Sequence, residues 1–176
     1  VEGLPSDESL RERANRNEGL TRPELAVLLA YAKLQLFQEL NHSSLPDDPF
    51  FEQTLQTYFP AEAGSHFPKG LKAHRLRREF VATVLANDIV NRGGPVFMHR
   101  LKEASASEAP ALARAYTIAL HSFGIDALAD RINALDNVVS ADIQNRMHGV
   151  LALHLQRQTL WFYRHVPTTA GIADAI

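Results

Sequence analysis

The sequence predicts an all-α fold, an irregular multi-helix bundle of about seven to nine helices around a central helix near 71–92. Three observations carry this. Apolar runs at helical spacing alternate with Gly and Pro breakers along the chain. Several of those runs open on residues that cap helices. No period-2 alternation bounded by turn residues occurs, so no strand is expected.

Taken in order, Val1 to Pro5 reads as a leader, and Ser6-Asp7-Glu8 starts a short helix to about Asn17. That helix has few apolar residues (Leu10, Ala14), which makes 1–18 a peripheral N-terminal element. Thr21-Arg22-Pro23-Glu24 is the clearest start signal: Thr21 and Glu24 satisfy each other's amides, and Pro23 suits a first turn. The apolar helix that follows is expected in the core, ending near Asn41-His42. Leu45-Pro46-Asp47-Asp48-Pro49 reads as a turn whose aspartate caps a helix from Pro49 to about Tyr58, Pro60 starts a short turn, and Gly64 to Gly70 is a loop. A short helix over Val96–Glu103 and a link over Ala104–Ser107 come next. Ser107-Glu108 opens a helix that tolerates Pro110 in its first turn and ends at Gly124. Asp126–Leu135 is another short helix, and Ser140 caps a last long one ending by His165-Val166-Pro167. Residues 167–176 read as a frayed tail or the start of a continuation. The whole is expected to be a single helical domain, 1–176, cut from a much longer polypeptide.

Leu71 to Arg92 lacks internal Gly and Pro and is bracketed by Pro68-Lys69-Gly70 and Gly93-Gly94-Pro95. On a wheel of about 100° per residue its apolar residues spread almost all the way round, as in a helix surrounded by others. Thr83, Asn87 and Asn91 fall at i, i+4, i+8 and predict a buried polar seam whose amides need partners. Arg75, Arg77 and Arg78 are the candidate interface charges, flanking that stripe and pairing with carboxylates or another domain.

Composition excludes several classes. A formal net charge of −2 argues against a dedicated nucleic-acid binder, which carries a basic excess. Without cysteine there are no disulfides, thiolate metal sites or cysteine nucleophile. The most apolar run, Leu25 to Ala32, is far short of the ~20 residues a membrane span requires. No nucleic-acid or membrane partner is therefore expected.

Chemistry-bearing motifs are equally sparse. Neither GxGxxG nor GxxxxGK[ST] occurs, and Gly93-Gly94-Pro95 follows a helix, where it acts as a stop. No two of the eight histidines lie three or four apart, and Glu39-x-x-His42 stands alone where a di-iron bundle needs that motif twice. Nothing marks a nucleophile elbow. The cationic stretch His74-Arg75-x-Arg77-Arg78, with Lys69 and Lys72, lacks the aromatics a nucleic-acid groove interleaves. Catalytic, cofactor-binding and metal-binding residues are thus all expected to be none. A self-standing interaction module with no enzyme attached remains the alternative at this point.

Several longer stretches carry a resemblance. LTRPELAVLLAYAKLQL (20–36), LPDDPFF with YFP (45–60), HRLRREFVATVLANDIVNRGG (74–94), ARAY (113–116) and ALDNVVSADIQ (134–144) resemble the C-terminal helical region of the large bacterial NAD-specific glutamate dehydrogenases. It extends from about Asn15 to Arg164; Pro95 to His99 and the alanine-rich link before Pro110 depart from it. The resemblance implies a parent enzyme that oxidatively deaminates L-glutamate to 2-oxoglutarate and ammonia with NAD. It also implies that the dinucleotide and substrate segments lie upstream, so that this piece binds no cofactor. The implied partner is the catalytic domain of the same polypeptide, in a cytoplasmic enzyme that is a homo-oligomer.

Overall fold

The computed structural model describes residues 2–176, and among these it holds eleven α-helices and no strand. In chain order they are α1 (Asp7–Asn15), α2 (Arg22–Asn41), α3 (Glu52–Tyr58), α4 (Ala61–His66), α5 (Pro68–Lys72) and α6 (Arg77–Gly93). They continue as α7 (Phe97–Ser105), α8 (Ala109–Ser122), α9 (Ile125–Asn133), α10 (Ala141–His165) and α11 (Ile172–Ala175). Two 3-10 turns, Leu45–Asp47 and Pro49–Phe51, link α2 to α3. Eight helices have seven residues or more, and these form the irregular bundle that the capping and breaker pattern implies.

Its centre lies elsewhere than the sequence pattern suggests. Nine of the fourteen residues of α8 are buried, among them Ala109, Ala113, Ala115 and Ala119. Small side chains let neighbouring helices approach closely, so α8 is enclosed where a Leu-rich helix would hold its neighbours off. The C-terminal half of α10 packs along α8, α2 packs along α6, and α7 touches both pairs' inner members. Helix α6 is the second element of the core, burying Val81, Ala82, Leu85, Ala86, Ile89 and Val90 on one side.

Nor is 71–92 one helix. The chain turns between α5 and α6, where the Leu76 amide donates to Nδ1 of His74 at 3.1 Å and the Arg77 amide donates to the His74 carbonyl at 3.0 Å. The His74 ring sits 5.3 Å from that of Phe80 and 6.0 Å from that of Phe59, so an aromatic cluster holds the corner. The expected loop over 64–70 is correspondingly helical, supplying the end of α4 and most of α5.

Other elements differ in detail. The capping box of α2 is present: the Thr21 amide donates to Glu24 Oε2 at 2.7 Å, and the Glu24 amide to Thr21 Oγ1 at 3.5 Å. Arg13 of α1 donates to the same carboxylate at 2.8 Å, and that bond with the Thr21 amide pushes the Glu24 carboxyl down to about 2. This ties down α1, which buries no residue of its own. Of α2, Leu36 and Leu40 are buried and Leu29, Ala32 and Phe37 pack half-buried against the core, while Leu25, Tyr31 and Leu34 stay exposed. The N-cap residues of α8 and α10, Glu108 and Ser140, make no side-chain cap bond. The tail is not frayed: Ile172 is fully buried, α11 packs on α8, and Arg114 donates to the Ala170 carbonyl.

The stop between α6 and α7 depends on glycine. Gly94 takes φ +85°, and a Cβ on Gly93 would lie 2.2 Å from Cγ of the buried Phe97 ring. Gly149, inside α10, would place its Cβ in open space. We predict that Gly93→Ala destabilises the chain by about 1–3 kcal/mol through overpacking. Gly149→Ala should stabilise it by about 0.5–1 kcal/mol, the helix-interior penalty of glycine. Urea midpoints check both; a neutral Gly93→Ala would contradict the close packing of Phe97 on the helix end.

Candidate functional site

Tyr116 points from α8 toward α6 with no exposed surface. A buried phenol needs a partner for its hydroxyl, and Asp88 supplies it: the hydroxyl donates to Asp88 Oδ2 at 2.7 Å. The other carboxylate oxygen accepts from Nε of Arg92 at 2.7 Å, one helical turn on. Arg92 also pairs with Asp126 in the first turn of α9, where the helix dipole favours an anion. The Phe97 ring stands edge-on to Tyr116 with centroids 5.9 Å apart. Four charged or polar side chains therefore join α6, α8 and α9 through one chain of bonds.

The electrostatics are those of a fixed network. Burial, then the Asp88 carboxylate, pushes the Tyr116 hydroxyl well above its ordinary range, so it remains a neutral donor. Burial alone would weaken the Arg92 guanidinium's hold on its proton; the Asp88 bond and the pull of Asp88 and Asp126 outweigh that and raise it. Nothing here supplies a poised base or nucleophile, and the arrangement holds helices together. Among the described residues, no group of three or more His, Asp or Glu side chains converges as a metal ligand set would.

The predicted seam is not where this network lies. Thr83 is half-buried and donates within its own helix, to the Glu79 carbonyl at 2.6 Å. Asn87 is half-buried with no side-chain hydrogen bond among the described residues, and Asn91 is exposed. The buried side of α6 runs through Val81, Leu85 and Ile89, and the pairing carboxylate sits beside it at Asp88, one residue past Asn87. An i, i+4 Asp–Arg pair inside an apolar helix was the available signal for Asp88 and Arg92. The distant partner Tyr116 had none.

The arginines divide. Arg77 and Arg78 both pair with Asp47 of the first 3-10 turn, Arg77 at 2.6 Å. Arg78 also donates to the carbonyls of Asn41 at 2.9 Å and Ser43 at 2.7 Å, satisfying acceptors that the end of α2 leaves unpaired. Arg75 is exposed at the α5–α6 corner. Lys72 pairs with Glu52 at 2.6 Å, so Lys72, Arg77 and Arg78 of the cationic stretch are spent on neighbouring carboxylates.

The class defined by this geometry is an all-helical domain in which a polar network ties α6, α8 and α9 together. The chain belongs to the glutamate dehydrogenase C-terminal family, whose model matches residues 17–176. Among curated relatives, the NAD-specific glutamate dehydrogenases of Halomonas elongata and Pseudomonas aeruginosa are 43% and 42% identical over 164 residues, 93% of this chain. That of Mycobacterium tuberculosis is 36% identical over 173 residues, 97% of this chain. The chain spans 10% of the length of each.

Tyr116→Phe would leave Asp88 Oδ2 short of its donor, and we predict a loss of about 1–3 kcal/mol. Asn87→Leu, which breaks no side-chain bond, should change stability by less than about 0.5 kcal/mol. Urea melts that reversed this order would place the structural polar group at Asn87 rather than Asp88.

Proposed function

We propose that the chain is the C-terminal helical accessory domain of an NAD-specific glutamate dehydrogenase. The parent polypeptide oxidatively deaminates L-glutamate to 2-oxoglutarate and ammonia with NAD, and this domain packs on and orders its catalytic part. The observation that carries the reading is identity of 42–43% across 93% of the chain to enzymes of that name, of which it covers only a tenth. The chemistry of the chain is consistent with a role outside the active site. Binding of a dinucleotide pyrophosphate uses a Gly-rich turn between a strand and a helix, and the sequence carries no such fingerprint. Tyr116, Asp88, Arg92 and Asp126 are engaged with one another. In this reading NAD binds the parent enzyme elsewhere, the assembly is a cytoplasmic homo-oligomer, and the domain's partner is the catalytic domain of its own polypeptide. No helix among the described residues is long and apolar enough to cross a membrane.

An antibody against the chain should detect, in extracts of the source cells, a polypeptide roughly ten times its length. That polypeptide, once purified, should reduce NAD with glutamate. The 176-residue chain should show no NAD binding by calorimetry. A species of only 19.6 kDa in cells, or turnover by the chain alone, would overturn the proposal.

A further inference from the structure

Helix α10 outruns the core. Its buried residues are Leu155, Thr159 and Phe162, all in the C-terminal half, and none of residues 141–154 is buried. Yet that free half carries a helical stripe: Ile143, Met147 and Val150 recur at i, i+4 and i+7, and Val150 is 69% exposed. Helix α9 runs beside it and adds Leu128, and the turn after α9 adds Leu135, so that together they form an open apolar trough of about 940 Å³. Contiguous apolar surface of this kind marks a place where another surface belongs.

The formal charges lining the trough are of one sign. Arg131 and Arg146 line it, beside the His154 ring, and no carboxylate does. Arg146 is held by Asp142, one turn earlier, whereas Arg131 has no carboxylate within ion-pair distance among the described residues.

We propose that this trough seats an amphipathic helix from the catalytic part of the parent polypeptide, with its apolar stripe on Met147 and Val150 and a carboxylate against Arg131. The inference rests on the reading of the chain as one domain of a long dehydrogenase and adds the face through which it docks. Two observations select this occupant. Nine-tenths of each relative's length lies outside the region matched here, so an attached partner is at hand at high effective concentration. A second copy is disfavoured, because an isologous contact sets the same surface against itself and would bring two troughs together with Arg131 in each and no lining carboxylate to meet it. Two helices presenting a groove to the apolar face of a third is a common recognition mode.

The chain contains no cysteine, so single reporters can be introduced at Val150→Cys in the trough and at Phe67→Cys on a remote exposed site. Alkylation of each is followed by mass spectrometry of the peptide that carries it, in the 176-residue chain and in the full-length enzyme. The thiol at 150 should react at least roughly tenfold more slowly in the full-length enzyme than in the isolated chain, and Arg131→Glu should restore much of that rate. Equal rates at 150 in both proteins would overturn the inference. So would slow, concentration-dependent labelling at 150 in the isolated chain with a doubled mass by light scattering, which would make a second copy the occupant. Protection at 67 and not at 150 would refute this docking face and leave the proposed function standing. Failure to find a long polypeptide would remove both.

Discussion

The hydroxyl of Tyr116 is the constraint around which the rest of the domain is arranged. A phenol with no exposed surface cannot be left without an acceptor, and the acceptor is on another helix. Asp88 must therefore face α8, which sets the rotation of α6 about its axis. With Asp88 at the edge of the buried side, Asn91 and Asn87 lie about 60° and about 100° further round the helix, away from the core. The same rotation brings Arg92 within reach of Asp126, so that α9 is fixed by the bond that fixes α6. One buried polar contact thus determines the relative placement of three helices that apolar packing alone would leave free to slide.

Local chemistry was legible in the sequence wherever a signal is local. The Thr21–Glu24 box, the stop at Gly93-Gly94 and the left-handed Gly124 after α8 are each written within four residues, and each is present. Global position was not. Helix α8 owes its enclosure to alanines, which register weakly as apolar and matter because they are small. The apolar residues of α6 spread round a wheel, which suggested the centre, yet burial follows only one side of it. The break at 73–76 is held by His74, whose ring also meets the distant Phe59, and the ordering of the tail depends on Arg114 reaching Ala170; neither Phe59 nor Ala170 has a local mark as a partner.

The candidate site was less readable than the fold for the same reason. Thr83, Asn87 and Asn91 share a spacing, and spacing says which residues lie on one stripe but not which stripe faces inward. Arg77 and Arg78, expected to pair with carboxylates or another domain, clamp Asp47, and Arg78 also takes the carbonyls at the end of α2, a partner that no local signal marks. The apolar residues Ile143, Met147 and Val150 early in α10 are surface. Together these give a domain with a well-tied interior on the α6–α8–α9 side and unfinished apolar surface on the α9–α10 side. That asymmetry suits a module that is rigid within itself and completed by what it packs against.

The central claim, that α8 and the Tyr116–Asp88 contact form the most stable part of the molecule, is tested most directly by native-state hydrogen exchange on the isolated chain. The account predicts that amides of residues 113–120 exchange slowest, only through global unfolding, while those of residues 145–152 in α10 exchange through local opening at far lower free energy. Exchange that is slower in α6 than in α8, or as slow at 145–152 as at 113–120, would contradict it.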